Sequence, residues 1–282
     1  MRLQEILEWS AGLAGCDEVP ADSMVYVEAG ADVHRLLFGV DIGLAEILFA
    51  RDAGFDAAIA HHPIGDRASI DLAAVVRRQV DQMVAEGVAH DIAEAAVAQR
   101  LDRPHRAMHM ANVNQVVDSA RLIRFPLANI HLACDIIGKQ ALVDLLAQRS
   151  SSEAMVGDAI AWIEEFPEME AGLTRPEAWV GDAANRLGRY TVAMAGGTNG
   201  GHPVFREYFR AGVDTIFAMH CAEEDVAKLR EDPLSKGRTL VVTGHMSTDS
   251  IGINRVIAGL EERGVEVTRT SGIVAGKAGV RP

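Results

Sequence analysis

The stretch RLLFGVDIGLAEILFARDAGFDAAIAHHP, residues 35–63, decides how the chain folds. Its opening residues, RLLFGVD, are apolar and favour a strand, and the apolar residues of its middle part recur at the three- and four-residue spacing of a helix. Residues 56–60, DAAIA, predict a second strand with four apolar residues after Asp56, and Pro63 ends it because proline lacks a backbone N–H group. Strand, helix and strand in this order predict a βαβ unit with two parallel neighbouring strands.

The same pattern occurs again further along the chain. Residues 189–220 predict a strand ending in glycines, a helix and a second strand, and residues 238–269 predict a strand, a helix and a short strand. AGFDAAIA at 53–60 also matches AGVDTIFA at 211–218, which either an internal duplication or the general βαβ pattern explains. We therefore predict an α/β protein of two similar α/β lobes built from βαβ units.

A helical segment is predicted as an insertion in the first lobe. Residues 71–125 carry apolar side chains at three- and four-residue spacing and have no strong strand pattern. Residues 150–178 are polar and acidic and contain two prolines, which is typical of a linker. We predict a first α/β lobe over residues 1–150, including the helical insertion, and a second α/β lobe over residues 151–282.

The composition excludes several classes of protein. Of the 282 residues 49% are hydrophobic, and the formal net charge of −13 repels phosphate backbones and anionic lipid surfaces. We expect no nucleic-acid or membrane partner, although a small anionic substrate can still bind where metal ions supply local positive charge. The three cysteines lie far apart and no run of about 18 apolar residues occurs, which predicts a cytoplasmic protein.

Histidine and aspartate residues follow the predicted strands. The strand at 56–60 ends in His61 and His62, and the segment ANIHLACD supplies His131 and Asp135. Ligands of open parallel sheets lie beyond the carboxyl ends of the strands, so these side chains are expected to meet. Imidazole and carboxylate groups suit Zn, Fe, Mn, Co or Ni, whereas the set lacks the thiolates of a structural zinc site.

GHMSTD, residues 244–249, runs from a third strand end into a helix, with Ser247 or Thr248 as the predicted N-cap. His245 and Asp249 are four residues apart and can therefore be directed at one point. A carboxylate has two oxygens, so Asp249 can bridge two ions, which in such sites lie about 3.5–4 Å apart and share a water molecule. The alternative for each strand-end histidine is a structural role in a hydrogen-bond network.

Two further features allow more than one interpretation. His220 follows a strand of the second lobe at the place that His62 has in the first, so it is a further metal ligand, a substrate contact or a structural histidine. GGTNGG at 196–201 lies between a strand and a helix, where its backbone N–H groups bind an anion or the loop simply forms a tight turn. The residues alone leave these alternatives open.

Residues 39–63, HLACD at 131–135 and GHMSTD at 244–249 together resemble the Nif-three-like family (Ngg-one-interacting factor three of yeast), also known as GTP cyclohydrolase I type 2 homologues. The resemblance implies two α/β lobes with a dinuclear metal site in the cleft between them. It also implies a homo-oligomer, often a toroidal hexamer. The chain departs from the family in having Asp249 in place of the usual glutamate and in lacking an early Trp-Asp-Asn-x-Gly segment.

The same resemblance implies that five side chains hold two divalent ions: His62 and Asp135 on one, His61 and His245 on the other, and Asp249 between them. His131 and His220 are then the predicted catalytic residues, which transfer protons. The predicted function is a metal-dependent hydrolase of a small nucleotide-like or heterocyclic substrate, similar to GTP cyclohydrolase I type 2. The alternative is a metal-handling or regulatory protein that stores, senses or delivers the ions to a metal-accepting protein, without turnover.

Overall fold

The computed structural model describes residues 1–276, with the backbone alone for residues 102–105. The strands in chain order are β1 (Met24–Val27), β2 (Arg35–Gly39), β3 (Ala57–Ala60), β4 (Leu127–Asn129), β5 (Glu177–Val180), β6 (Tyr190–Val192), β7 (Thr215–Ala218), β8 (Thr239–Val242) and β9 (Glu266–Thr270). The helices in chain order are α1 (Leu3–Leu13), α2 (Leu44–Asp52), α3 (Asp66–Ile70), α4 (Leu72–Val76), α5 (Arg78–Ala85), α6 (His90–Met110), α7 (Gln115–Ile123), α8 (Leu132–Arg149), α9 (Val156–Glu164), α10 (Pro167–Ala171), α11 (Gly201–Arg210), α12 (Glu223–Glu231) and α13 (His245–Glu262).

The described residues form two compact units. Unit 1 consists of Met1–Val75, His105–Gly138 and Asp249–Val274, and unit 2 consists mainly of Val76–Pro104 and Lys139–Thr248. Each unit is thus assembled from separate stretches of the chain, whereas the sequence predicts continuous lobes with one boundary near residue 150. Periodicity shows which element forms at each position, but it does not show which elements pack together.

The sheet of unit 1 has the strand order β1-β4-β3-β2-β9. β2 pairs in parallel with β3 and β9, and β3 pairs in parallel with β4, whereas β1 lies antiparallel to β4 at one edge. All residues of the central strand β3 are buried, as its continuous apolar run predicts. The core beside this sheet contains Leu37, Ile47, Ala58, Val117 and Leu127.

The sheet of unit 2 has the strand order β5-β8-β7-β6. β6, β7 and β8 are parallel, and β5 lies antiparallel to β8 at one edge. Phe205 and Tyr208 of α11 pack with Ile216 and Leu240 of the strands, and α5 contributes Met83 to the same core. Phe205 and Tyr208 lie three residues apart on α11, which is the spacing of a helix with one buried side.

The two sheets share one topology. The order β1-β4-β3-β2 in unit 1 corresponds strand for strand to β5-β8-β7-β6 in unit 2, with β9 added beside β2. The predicted α/β class with two similar α/β lobes is therefore confirmed. It follows that β3 corresponds to β7 and β4 to β8, so histidine-bearing segments leave equivalent strands in the two units.

Two predictions about the connecting segments have opposite outcomes. The stretch 71–125 is helical as predicted, since α4 to α7 follow one another there without a strand among the described residues. The linker predicted at 150–178 is wrong, because α9, α10 and the start of β5 lie there within unit 2. α9 buries Val156, Ala159 and Ile163, which recur at the three- and four-residue spacing of a helix with one buried side. None of the helices within residues 1–276 is long and apolar enough to cross a bilayer.

Candidate metal centre

The carboxyl ends of β3 and β4 bring three histidines to one edge of the unit 1 sheet. Ala60 ends β3 and pairs in register with Asn129, which ends β4. His61 and His62 follow Ala60 directly, and His131 lies two residues after Asn129, before α8 begins. Because β3 and β4 are parallel neighbours, both segments leave the sheet at the same edge.

Two aspartates lie against these histidines. Asp135 is in the first turn of α8, and Asp249 lies one turn into α13. His61 Nε2 is 3.4 Å from Asp135 Oδ1 and 3.8 Å from Asp249 Oδ2. His62 Nε2 is 3.6 Å from Asp249 Oδ2, and His131 Nε2 is 3.7 Å from Asp135 Oδ2. His61 is therefore in the middle, with one histidine–aspartate pair on each side.

His61 and Asp135 show whether this group of side chains suits a cation. His61 is fully buried, and its Nδ1 donates to the backbone carbonyl of Ile130 at 3.0 Å, which leaves a lone pair on Nε2. Among the described residues, neither His61 Nε2 nor Asp135 Oδ1 has a hydrogen-bond partner, although both atoms are buried. Two buried electron-pair donors 3.4 Å apart are unfavourable alone, and a bound cation satisfies both. The residues present therefore fit a divalent metal ion.

Carboxylates beside the Nδ1 atoms orient the imidazole rings of His62 and His131. His62 Nδ1 is 2.9 Å from Asp41 Oδ1, and His131 Nδ1 is 2.7 Å from Asp22 Oδ2. In metal sites, an oxygen that accepts a hydrogen bond from the nitrogen not bound to the metal fixes the orientation of the ring and its tautomer. All three histidines thus direct Nε2 towards the aspartates, and their ligand atoms lie within 4.8 Å of one another.

The aspartates raise the pKa of two of these histidines. Burial lowers the pKa of His131, but the attraction of Asp135 and the hydrogen bond with Asp22 outweigh burial and raise the pKa to about 9. Burial likewise lowers the pKa of His62, and the hydrogen bond with Asp249 is the main cause that brings it above its usual value. Without a metal ion, His131 therefore holds a proton at neutral pH.

Metal uptake is expected to depend on pH, because a ligand nitrogen must lose its proton. The pKa of His131 is raised to about 9, so below that pH an ion binding at Nε2 must displace a proton. We expect the apparent affinity for Zn²⁺, measured by chelator competition, to rise with pH up to about 9. Asp22→Asn should move this limit to lower pH, because the pKa of His131 then falls. An affinity that is flat over this range would show that His131 is not a ligand.

Some residues of the centre were not evident from the sequence. Asp22 belongs to no recognisable motif, and Asn129 holds it by donating from Nδ2 to the Asp22 carbonyl at 2.7 Å across 107 residues of chain. Asn129 Oδ1 in turn accepts from the Tyr26 hydroxyl at 2.8 Å. Asp41 does have a signal, since it follows β2 at the sheet edge where His62 follows β3.

α13 begins at His245, before the predicted N-cap. The prediction of Ser247 or Thr248 as N-cap is wrong, because both lie inside the helix and the Thr248 hydroxyl donates back to the Gly244 carbonyl at 2.6 Å. His245 and Asp249 are consequently one turn apart on the same side of one helix. This spacing agrees with their predicted use of the same ion.

His220 lies beside His245 in unit 2. It follows β7, and its ring centroid is 4.4 Å from that of His245. Its Nδ1 is 2.9 Å from Asn199 Nδ2. The catalytic roles of His220 and His131 stay predictions. The distance of 3.7 Å from His131 Nε2 to Asp135 is similar to the distances from the predicted ligands His61 and His62 to the aspartates.

The geometry pairs Asp135 differently from the family resemblance. The resemblance implies that Asp135 shares an ion with His62. The imidazole nitrogens found near the Asp135 carboxylate, at 3.4 and 3.7 Å, belong instead to His61 and His131. His131 is therefore a candidate ligand as well as a candidate proton carrier.

Fold and side chains together define an α/β protein with a buried histidine–aspartate group that can hold a metal ion. The solved structure of a NIF3 superfamily protein from Sphaerobacter thermophilus is 39% identical in sequence, over 96% of this chain and 98% of that one, with a TM-score of 0.91. The chain belongs to the NIF3 superfamily, the family that its sequence motifs resemble.

More distant structures share the fold alone. Reduced HcgD from Methanocaldococcus jannaschii is 13% identical over 95% of this chain and 97% of that one, with a TM-score of 0.57. The protein TTHA1606 from Thermus thermophilus is 13% identical over 99% of this chain and 100% of that one, with a TM-score of 0.52. No family model matches the sequence, and no curated protein matches it.

Proposed function

We propose that the chain binds two divalent metal ions and hydrolyses a small nucleotide-like or heterocyclic substrate, similar to that of GTP cyclohydrolase I type 2. The observation that carries the proposal is the buried pair of His61 Nε2 and Asp135 Oδ1, 3.4 Å apart and without hydrogen-bond partners among the described residues. A second pair, His62 Nε2 and Asp249 Oδ2 at 3.6 Å, lies on the other side of His61 and supports a second ion. His245 completes the proposed ligand set, one turn before Asp249 on α13.

The donor set suits Zn, Fe, Mn, Co or Ni, because it combines imidazole nitrogens with carboxylate oxygens. An ion bound here would lower the pKa of a bound water molecule to near neutrality and so supply a nucleophile. The chain's own contribution is to orient His131 through Asp22, so that Nε2 holds or releases a proton beside Asp135. Asp249 is one methylene shorter than the family's glutamate, so both ions would have to lie closer to the backbone of α13 for its carboxylate to bridge them.

Metal loading and a substrate screen test this function. We expect elemental analysis after loading with Mn, Fe, Co, Ni or Zn to give two ions per chain, and His61→Gln to lose them. His34→Gln is the matched control, because His34 is exposed on unit 1 away from the sheet edge that carries the ligands. The loaded protein is then incubated with GTP, other nucleotides and cyclic amides. Turnover that disappears on chelation supports the proposal, whereas no turnover with both positions filled contradicts it.

A metal-handling role is the second candidate, and the exposure of His62 favours it. The His62 side chain is 25% exposed, while that of its partner Asp41 is 70% exposed, so one ligand is within reach of a metal-accepting protein. In this case the ions exchange readily and pass to an acceptor without turnover. Rapid exchange measured with a fluorescent chelator, together with a negative substrate screen, would favour this role over hydrolysis.

We further propose that the chain works in the cytoplasm as a homo-oligomer, such as the toroidal hexamer that the family resemblance implies. The formal charge of −13 supports a small-molecule substrate over a nucleic-acid or membrane partner. Light scattering coupled to gel filtration is expected to give a mass several times that of one chain. A mass equal to one chain at working concentration would contradict the assembly without affecting the metal site.

A further inference from the structure

The loop GGTNGG, which follows β6, is held by two glutamines of α5 through backbone carbonyls. Gln79 Nε2 donates to the carbonyls of Gly196 and Thr198 at 3.0 and 2.7 Å. Gln82 Nε2 donates to the carbonyl of Met194, just before the loop, at 2.9 Å. Of the two interpretations that the sequence left open for this loop, neither anticipates these contacts. The Met194 carbonyl is consequently fixed relative to α5.

Lys139 of α8 shares that carbonyl with Gln82. Its Nζ donates to the Met194 oxygen at 3.4 Å, which is long for a hydrogen bond. The lysine is half-buried, and within the part of the chain that the structure describes no carboxylate oxygen lies within 4.0 Å of Nζ. An ammonium group has three N–H donors, and lysines that are largely removed from water are usually paired. Lys139 therefore lacks the acidic partner that a lysine in this environment usually has.

A second cation, Arg78, lies on the same side of α5 as Gln82. Arg78 begins this helix and is four residues before Gln82, so the two side chains are neighbours on the helix surface. Because Gln82 and Lys139 meet at one carbonyl oxygen, this side of α5 is the one that faces Lys139. Arg78 is exposed and, among the described residues, also has no carboxylate within 4.0 Å. An exposed arginine is solvated by water, so half-buried Lys139 is what makes this pair informative.

The surroundings of Lys139 destabilise its protonated form. Burial and the repulsion of Arg78 lower the pKa of Lys139 to about 8, and the attraction of Glu86 opposes them. Glu86 is itself held by an arginine, because Arg189 Nη2 donates to its Oε2 at 2.7 Å. The two cations are thus left without a close acid of the described chain, although Asp and Glu outnumber Lys and Arg by 40 to 27. An anion placed between the two cations relieves their repulsion and favours the charged form of the lysine.

We propose that Lys139 and Arg78 of unit 2 bind a carboxylate or phosphate group of a small anionic ligand. The ammonium supplies a compact charge, and the guanidinium supplies two parallel N–H donors that match a carboxylate or a phosphate. Gln82 is a positioning residue, since it fixes the carbonyl that orients Lys139. Every residue of this site belongs to unit 2, and none of them is a proposed metal ligand. The inference therefore goes beyond the proposed function and does not rest on it.

Competition between the anion and an amine reagent tests the site on the full chain. A short pulse of an acetyl N-hydroxysuccinimide ester labels lysines, and peptide mass spectrometry measures each one. We expect inorganic phosphate or succinate, at about ten times its dissociation constant, to slow the labelling of Lys139 about tenfold. The exposed Lys228 and Lys236 of the same unit are internal controls and should label at unchanged rates. Protection by one anion alone identifies the group that the site prefers, and protection by neither overturns the proposal.

Calorimetric titration with the same anions tests both cations without chemical labelling. Lys139→Gln and Arg78→Gln should each weaken binding about tenfold, because each removes a hydrogen bond between charged groups. Lys228→Gln and Arg77→Gln are the matched controls, since both residues are exposed and Arg77 directly precedes Arg78. The controls should bind the anion as tightly as the wild type. Equal affinities in all four variants, or no binding by the wild type, overturn the proposal.

The pH dependence of succinate binding isolates the contribution of Lys139. Succinate keeps both charges above neutral pH, whereas Lys139 of the free chain loses its proton as the pH rises through about 8. The affinity should therefore fall above this pH, by up to about tenfold for each pH unit, and Lys139→Arg should remove the decrease because arginine stays charged. A flat profile for the wild type contradicts the role of Lys139. Metal content is expected to be equal in all these variants, so a chain that binds no metal refutes the proposed function alone.

Discussion

Asp135→Asn is expected to lower the affinity for divalent metal ions by more than about 100-fold, which exceeds the loss typical of residues that only orient a ligand. Asp135 is buried, with Oδ1 3.4 Å from His61 Nε2 and Oδ2 3.7 Å from His131 Nε2. An amide keeps the shape of this side chain but removes its charge and one of its two oxygens. The measurement is a competition titration of Zn²⁺ with a chelator, and binding as tight as that of the wild type would contradict the assignment of Asp135 as a ligand.

Asp118→Asn is the matched control for that variant. Asp118 is also an acidic residue in the first turn of a helix, α7 of the same unit, but its side chain is 60% exposed. Both variants remove a negative charge from a helix N-terminus, which is worth about 0.3–1 kcal/mol in stability. Only the loss of Asp135 should change metal affinity, so a similar fall in both variants would point to a general charge effect.

Gly252→Ala is expected to destabilise the protein by about 2 kcal/mol, within the range for overpacked sites. A Cβ atom on Gly252 of α13 would lie 2.0 Å from the backbone carbonyl oxygen of Cys134 and 3.1 Å from the backbone nitrogen of Gly138, both on α8. Backbone atoms cannot turn aside, so the two helices must move apart. Because α8 carries Asp135 and α13 carries Asp249, metal affinity should fall together with the unfolding temperature.

Gly12→Ala should have the opposite effect. Gly12 is an exposed helical residue of α1, and a Cβ atom built there meets nothing within 4 Å among the described residues. Alanine restricts the unfolded chain and favours the helix, so we expect stabilisation of about 0.4–1 kcal/mol. Urea unfolding of both variants measures the contrast. Stabilisation by Gly252→Ala as well would show that the two helices are not in close contact.

The local elements of the fold were predictable because periodicity is a local property. The first strand, helix and second strand, expected at 35–41, 43–55 and 56–60, lie at Arg35–Gly39, Leu44–Asp52 and Ala57–Ala60. The division into units was not predictable in the same way. Each unit uses separate stretches of chain, and the association of distant stretches leaves no periodic pattern in the sequence.

The segment ANIHLACD of the candidate metal centre also shows what a local sequence pattern leaves undetermined. Its apolar residues suit the end of a strand, and we predicted His131 and Asp135 there on that basis. The strand ends at Asn129 and α8 begins at Leu132, so Asp135 is helical. Asp135 then lies one turn after His131, and this turn brings the carboxylate back to within 3.7 Å of the imidazole.

The sequence by itself determined the α/β class, the residue types of the candidate metal centre and their places after β3 and β4. Only the tertiary structure decided which nitrogen of each imidazole faces the centre. That choice depends on the atom beside Nδ1, which for His61 is a carbonyl 69 residues away and for His131 a carboxylate 109 residues away. For His220 it is the amide nitrogen of Asn199, so chemically identical rings acquire different hydrogen-bond partners that lie far along the chain.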